Sequence, residues 1–271
     1  MIRWRRIALV LVVMILGSVA IAEAQPPSGI VRPTQEPSTP SVQLGAELYA
    51  GNCASCHGIA GSGISSPRPG SGNIAGQGPS LRGVGASAPD FYLRLGLMPL
   101  SKADREPQTE RVQLSDTEIR SLVAYVASLG AGPPIPHPDV RVAGESVKGS
   151  GTLQEGLQLF TEHCAGCHQI VGRGGFATGA RVPPLQGLTP TEIAEAVRIG
   201  PYLMPRFSKT QISDAQLNSI IKYVLSTRNP VNHGGWGIGN LGPIPEGIIV
   251  WWVAIPLVIA VCMILAKRLG S

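Results

Sequence analysis

The chain has 271 residues, of which 44% are apolar and only 5% aromatic, with 34 glycines and 24 prolines; this predicts two small, loop-rich domains whose cores need something besides aromatic side chains to fill them. The formal charge of +5 is mostly terminal: Arg3, Arg5, Arg6, Lys267 and Arg268 flank hydrophobic segments, and Gln25 to Gly247 holds 17 basic and 16 acidic residues. No Lys/Arg stripe remains between them, which excludes a nucleic-acid partner and leaves the terminal charges to report membrane orientation.

In chain order, residues 1–24 read as an export signal or an N-terminal anchor helix. Arg3, Arg5 and Arg6 precede the apolar run Ile7 to Ala22 and the small-residue site Ala22-Glu23-Ala24. The run is long for a cleaved leader and short for a span, so cleavage after Ala24 and retention both stand. In either case the domains that follow leave the cytoplasm. Residues 25–41 form a Pro/Ser-rich lead-in.

Residues 42–130 form the first domain and contain Cys53-Ala54-Ser55-Cys56-His57; residues 151–228 form the second and contain Cys164-Ala165-Gly166-Cys167-His168. A C-x-x-C-H motif on one helical turn places two thiols for thioether bonds to the vinyl groups of a haem, and the histidine for axial ligation of its iron. A dithiol redox pair belongs near a βαβ pattern, which is missing. A ribbon-type zinc site needs its cysteine pairs about 15–20 residues apart, whereas more than a hundred residues separate Cys56 from Cys164. Two covalently bound haem c groups are the expected cofactors. Their propionates turn the near-neutral middle of the chain acidic.

The two domains are copies. At an offset of 111, Leu48 falls on Leu159, Tyr49 on Phe160, and motif on motif. Gly78-Pro79-Ser80-Leu81 matches Val182-Pro183-Pro184-Leu185, and Leu97-Met98-Pro99 matches Leu203-Met204-Pro205. Each copy closes on a capping box, Ser115 to Glu118 and Ser213 to Gln216, ahead of a helical apolar stripe. Ile119, Leu122, Val123 and Val126 make the first stripe and Leu217, Ile220, Ile221 and Val224 the second. Tyr125 and Tyr223 occupy equivalent positions. The first copy is seven residues longer between its haem motif and Pro79, and eight longer between Met98 and Ser115.

Apart from the initiator and the hydrophobic segments, the only methionines are Met98 and Met204, one per copy, 41 and 36 residues after the motif histidines. They are the candidate sixth ligands of the two irons, His57 and His168 being the fifth. A methionine thioether raises the potential relative to a second imidazole. His163 precedes Cys164 and faces away from that side; His137 and His233 lie in linkers; all three are read as solvated. Pro79 and Pro183 lie where a backbone carbonyl can accept the proximal imidazole N–H. With both iron positions closed by methionine, a peroxidase-type dihaem enzyme is disfavoured, since it needs an open or displaceable ligand.

Residues 131–150, with Gly-Pro-Pro-Ile-Pro-His-Pro and a Gly/Ser tail, read as an interdomain linker that resists helix and sheet, and residues 229–247 as a Gly-rich connector. No strand pattern stands out anywhere. Residues 248–266 carry no charge, and 19 residues at about 1.5 Å each nearly match a hydrocarbon core of about 30 Å. They read as a transmembrane helix, with Trp251 and Trp252 at the outer interface and Lys267-Arg268, in the cytoplasmic tail 267–271, at the inner one. Cys262, inside it, is an inert small hydrophobe.

With C-x-x-C-H, P-x-L, Met-Pro and an amphipathic C-terminal helix in order, each copy resembles a class I cytochrome c domain. The resemblance implies an all-α architecture of two tandem class I domains plus the C-terminal transmembrane helix, and assigns the carbonyls of Pro79 and Pro183 to the proximal histidines. The whole order of segments resembles the dihaem cytochrome c subunit of the actinobacterial cytochrome bcc complex. That family implies an electron-transfer subunit of a quinol–cytochrome c reductase, with a cytochrome b subunit, a Rieske iron–sulfur protein and a terminal cytochrome c oxidase as partners, in a dimeric complex in the cell membrane. It also implies that the first haem accepts from the Rieske protein and the second delivers to the oxidase. The competing reading is the dihaem subunit of a cbb3-type oxidase, or a tethered electron shuttle of another dehydrogenase; the C-terminal anchor favours the bcc family, since the cbb3-type subunit it resembles in haem content is anchored N-terminally.

Overall fold

A computed structural model describes residues 29–35, 37–64, 78–100, 108–144, 146–177, 179–228 and 243–269. The export segment and most of the connector 229–247, His233 included, lie outside the described residues. These residues form two compact units, one reaching to Pro136 and taking in Glu195–Arg206, the other comprising His137–Ala194 and the chain from Phe207 on.

The first copy opens with helix α1 (Val42–Asn52), started by Ser41, whose hydroxyl accepts from Leu44 N at 3.0 Å. The attachment turn α2 (Ala54–His57) follows, then α3 (Ser87–Arg94) and the closing helix α4 (Asp116–Ser128). The expected capping box is formed: Glu118 N donates to Ser115 Oγ at 3.2 Å and Ser115 N to Glu118 Oε2 at 2.6 Å. One face of α4 buries Ile119, Leu122, Val123 and Val126 against Leu44, Leu48 and Tyr49 of α1. The helices touch backbone to backbone. A Cβ placed on Gly45 would sit 2.0 Å from the Ser121 carbonyl oxygen, so no other residue permits this crossing. The Tyr49 and Tyr125 rings pack over it, 5.1 Å apart.

The second copy repeats this with α5 (Leu153–His163), the attachment turn α6 (Ala165–His168), α7 (Pro190–Ile199) and α8 (Asp214–Ser226). Gly156 stands 2.0 Å, by the same measure, from the Ser219 carbonyl, and Phe160 and Tyr223 pack at 5.3 Å. Ser213 and Gln216 form the second capping box at 3.2 and 2.9 Å. A box absent from the sequence reading starts α7, where Thr189 N donates to Glu192 Oε2 at 2.6 Å and Glu192 N to Thr189 Oγ1 at 3.2 Å.

The expectation of a chain without strands is corrected. Two antiparallel hairpins form, β1 (Val140–Ala143) with β2 (Ser146–Gly149), and β3 (Gly175–Ala177) with β4 (Ala180–Val182). The first lies inside the segment read as resisting sheet. It docks on α8, where Lys222 Nζ donates to the carbonyls of Gly149 and Gly151 at 3.1 and 3.0 Å. Strands this short carry too few residues for alternation to register. The linker's other end is also ordered, with Ala86 N and Ser87 N donating to the Pro133 carbonyl at 3.0 and 3.2 Å.

The C-terminal helix α9 (Pro243–Leu269) is longer than the expected 248–266. A proline near a helix start loses nothing, because the first amides have no intrahelical acceptor. Gly247–Leu269 within it is long and apolar enough to cross a membrane, and none of it is buried.

Candidate haem sites

Each attachment turn hangs on the end of the preceding helix. Cys53 N donates to Tyr49 O at 2.8 Å, then Cys56 N and His57 N fold back onto Cys53 O at 3.1 and 2.8 Å. In the second copy Cys164 N, Cys167 N and His168 N repeat these bonds at 2.8, 3.1 and 2.9 Å. Two thiols and an imidazole are thus presented from a single helical turn in both copies. The turn is left through a positive φ, 74° at Gly58 and 62° at Gln169.

The loop carrying P-x-L returns to this turn. His57 Nδ1–H donates to the Pro79 carbonyl at 2.9 Å, and His168 Nδ1–H to the Pro183 carbonyl at 3.2 Å. A carbonyl only accepts, so Nδ1 carries the proton and Nε2 is left with the lone pair a metal needs. The approach depends on Gly78, whose N–H donates to Cys56 O at 2.7 Å; a Cβ there would lie 2.5 Å from that oxygen and 2.7 Å from His57 Nδ1. Leu81 N and Leu185 N close both loops on Gly61 O and Gly172 O at 2.9 and 2.8 Å. In the sequence Gly78 is only the first residue of a repeated segment; its role in letting the Pro79 carbonyl in depends on this close approach.

Burial pushes the Cys53 thiol up to about 12 and the Cys164 thiol up to about 11, each helped by the neighbouring motif cysteine. Burial also lowers the His168 pKa, partly offset by its bond to Pro183, which favours the neutral imidazole that ligates iron. Among the described residues no three His, Cys, Asp or Glu side chains gather as a metal cluster. The donors come as two thiols and one imidazole on a turn, a set that would suit thioether attachment of a haem and ligation of its iron rather than a zinc cage.

Met98 and Met204 follow α3 and α7. Leu97 N and Met98 N both donate to the Tyr92 carbonyl, at 2.9 and 3.1 Å, and the Met98 side chain packs, half-buried, against the apolar cluster of the first domain. Met204 N donates to Pro201 O at 3.0 Å, next to Tyr202 at φ 54°. Of the other histidines, His163 sets its ring 5.9 Å from Phe207 and is 40% exposed.

Two repeated helical folds, each presenting C-x-x-C-H on a turn with a carbonyl on its histidine, define a tandem c-type cytochrome with two covalently bound haems. Residues 42–130 match the family model for cytochrome c, and residues 151–224 the one for cytochrome c oxidase, cbb3-type, subunit III. The chain is 32% identical to a cytochrome bc1 complex cytochrome c subunit of Corynebacterium diphtheriae, over 96% of this chain and 93% of the relative. A subunit of the same description from Mycobacterium leprae is 30% identical over 96% and 87%. A cbb3-type cytochrome c oxidase subunit FixP of Sinorhizobium medicae is 26% identical over 52% and 43%. The chain belongs to the family of cytochrome c subunits of the cytochrome bc1 complex. It is a membrane-associated electron-transfer cytochrome.

Proposed function

We propose that the chain relays electrons from the Rieske iron–sulfur protein of a quinol-oxidising complex to a terminal cytochrome c oxidase, the first domain receiving them and the second delivering them. The observation that carries this reading is that one chain, similar over nearly its whole length to bc1 complex cytochrome c subunits, holds two equivalent attachment turns. A cytochrome b subunit is the other partner, and the assembly is dimeric. Helix α9 is the anchor, with the haem domains outside the cytoplasm and Lys267-Arg268 inside.

Each bound haem supplies a one-electron ferric–ferrous couple. Cys53 and Cys56, and Cys164 and Cys167, hold the two groups by thioether bonds. His57 and Met98 ligate one iron, His168 and Met204 the other. The carbonyls of Pro79 and Pro183 hold the imidazoles in one orientation and tautomer, which strengthens them as ligands. Met98 and Met204, as the second protein ligands, would keep water and peroxide off each iron and its potential high.

The test is to extract membranes in mild detergent, isolate this subunit with whatever accompanies it, and record reduced-minus-oxidised spectra together with the iron–sulfur resonance. Co-purifying b-type haem and a Rieske signal are expected. The match of residues 151–224 to a cbb3-type subunit favours a second reading, membership of that oxidase; it predicts high-spin b-type haem with no iron–sulfur signal. Haem c alone would contradict both complexes and leave a tethered shuttle.

A further inference from the structure

The Pro/Ser-rich composition of residues 25–41 marks them as a lead-in, yet three of its residues are held on four sides. Ile30 packs against the buried apolar cluster of the first domain, the one built on α1 and α4. Val31 N donates to Asn52 Oδ1 at 2.7 Å, while Asn52 Nδ2 donates to the carbonyls of Val31 and Leu48, both at 2.8 Å. Arg32 reaches Glu118 with Nε at 2.7 Å and Nη2 at 3.2 Å, and its Nη2 also donates to the Gln113 carbonyl at 2.9 Å. A Cβ on Gly51 would stand 3.1 Å from Val31 Cβ and Cγ1, so the helix surface is cut to receive the segment.

The chemistry of each contact is specific. The Asn52 side-chain amide offers one acceptor and one donor, and so pairs with Val31 as a neighbouring strand would; a carboxylate could not donate to the carbonyl. Asn52 is the last residue of α1, immediately before Cys53. The Glu118 side chain is 1% exposed and already serves the Ser115 cap, and a buried carboxylate needs a counter-charge, which Arg32 supplies. The second copy has Gln216 at the corresponding place, a neutral group that caps without a cation, and His163 in place of Asn52.

We propose that Ile30–Arg32 is a latch of the first haem domain, tying the end of the helix that carries Cys53 to the start of α4, and that the mature protein must therefore keep these residues. The first cytochrome domain begins some twelve residues before its first helix, as α1 starts at Val42. Removal of the export segment has to occur upstream of Gly29. An unlatched domain leaves the Glu118 carboxylate buried with the Ser115 amide but no counter-charge, and frees the last turn before the thioether bonds.

Two measurements on the full-length, haem-loaded subunit from membranes decide this. The intact mass of the mature chain is expected to place its first residue at or before Gly29, whether or not the leader is cleaved; a chain starting after Gly29 overturns the latch. Hydrogen exchange is then compared between wild type, Arg32→Ala and Arg32→Ala/Glu118→Gln. Arg32→Ala is expected to speed exchange of amides 48–52 and 116–120 at least tenfold while leaving α5 and α8 unchanged. The double variant recovers most of that protection, since glutamine restores the cap as Gln216 does. Unchanged exchange in Arg32→Ala, or no recovery in the double variant, overturns the proposal. If Arg32→Ala does not accumulate, accumulation of the double variant counts as the rescue and its absence as the failure.

Discussion

The hydroxyls of Tyr49 and Tyr223 do the same task from opposite helices. Tyr49, on the first helix of its copy, donates to the Gly58 carbonyl at 2.9 Å; Tyr223, on the last helix of the other, donates to the Ile170 carbonyl at 2.6 Å. Phe160 stands where Tyr49 would be in the second copy and has no hydroxyl, so the ring packed against it takes over. Both bonds pin the segment that leaves the haem histidine. Tyr49→Phe and Tyr223→Phe are each expected to cost about 1 kcal/mol, lowering the thermal midpoint of their own domain and not the other. Melts of the single and double variants, followed by haem absorbance, check this, with the double equal to the sum of the singles.

Gln169 carries a side chain at φ 62°, ψ 161°, where the first copy has Gly58 at φ 74°, ψ 166°. Such a conformation costs a residue with a Cβ ~1–3 kcal/mol, while glycine adds chain entropy worth ~0.4–1 kcal/mol to the unfolded state. Gln169→Gly should therefore stabilise the second domain by about 1 kcal/mol. A denaturant midpoint that falls would refute the strain at this position.

Gly45 and Gly156 leave no room for a methyl group because what faces them is backbone, not a side chain that can turn away. Gly45→Ala and Gly156→Ala each should destabilise by about 3 kcal/mol or more, the upper end of overpacking costs. The readout is the ratio of covalent haem to protein in membranes, expected to fall toward one haem per chain in either variant.

Asp116 lies beside Arg94 and Arg120, at 2.9 and 2.7 Å, and the hydrogen bond from Arg94 is the main cause that holds its carboxyl below the ordinary value of 3.8. A depressed folded value means stability that is fully present above pH 3.8 and is lost as the pH falls through the lower folded value. Asp116→Asn should flatten the acid limb of the first domain's stability curve below that pH and leave its neutral plateau nearly unchanged, since the group is exposed. Urea midpoints between pH 2 and 6, roughly spanning the carboxylate range, measure it.

Met204→His should keep the covalent haem and lower the potential of one of the two centres, leaving the other in place. A redox titration resolves the two waves. If both potentials match wild type, Met204 is not the ligand; the same substitution at Met98 examines the first centre independently.

What was legible in the chain was local. The capping boxes at Ser115 and Ser213 need only four residues, and the stripes of α4 and α8 only eight, so spacing alone revealed them. The contact between Pro79 and His57 spans 22 residues, and it was the P-x-L resemblance to class I cytochrome c domains that pointed to it, since position alone left the proline equally open to merely shaping its loop. Arg32 and Glu118 are 86 residues apart, and nothing in a Pro/Ser-rich run marks one arginine as the partner of a buried acid. The hairpin Val140–Gly149 escaped for a different reason, as four-residue strands among glycines carry too little pattern to outvote the composition around them.

The Gly45–Ser121 and Gly156–Ser219 crossings bring the beginning of each copy beside its end. A unit whose entrance and exit are neighbours can be joined to a second one without lengthening, rerouting or threading either. A tandem pair of such units therefore needs only a connecting segment between them, here residues 131–150, which makes duplication an accessible route from one redox centre to two.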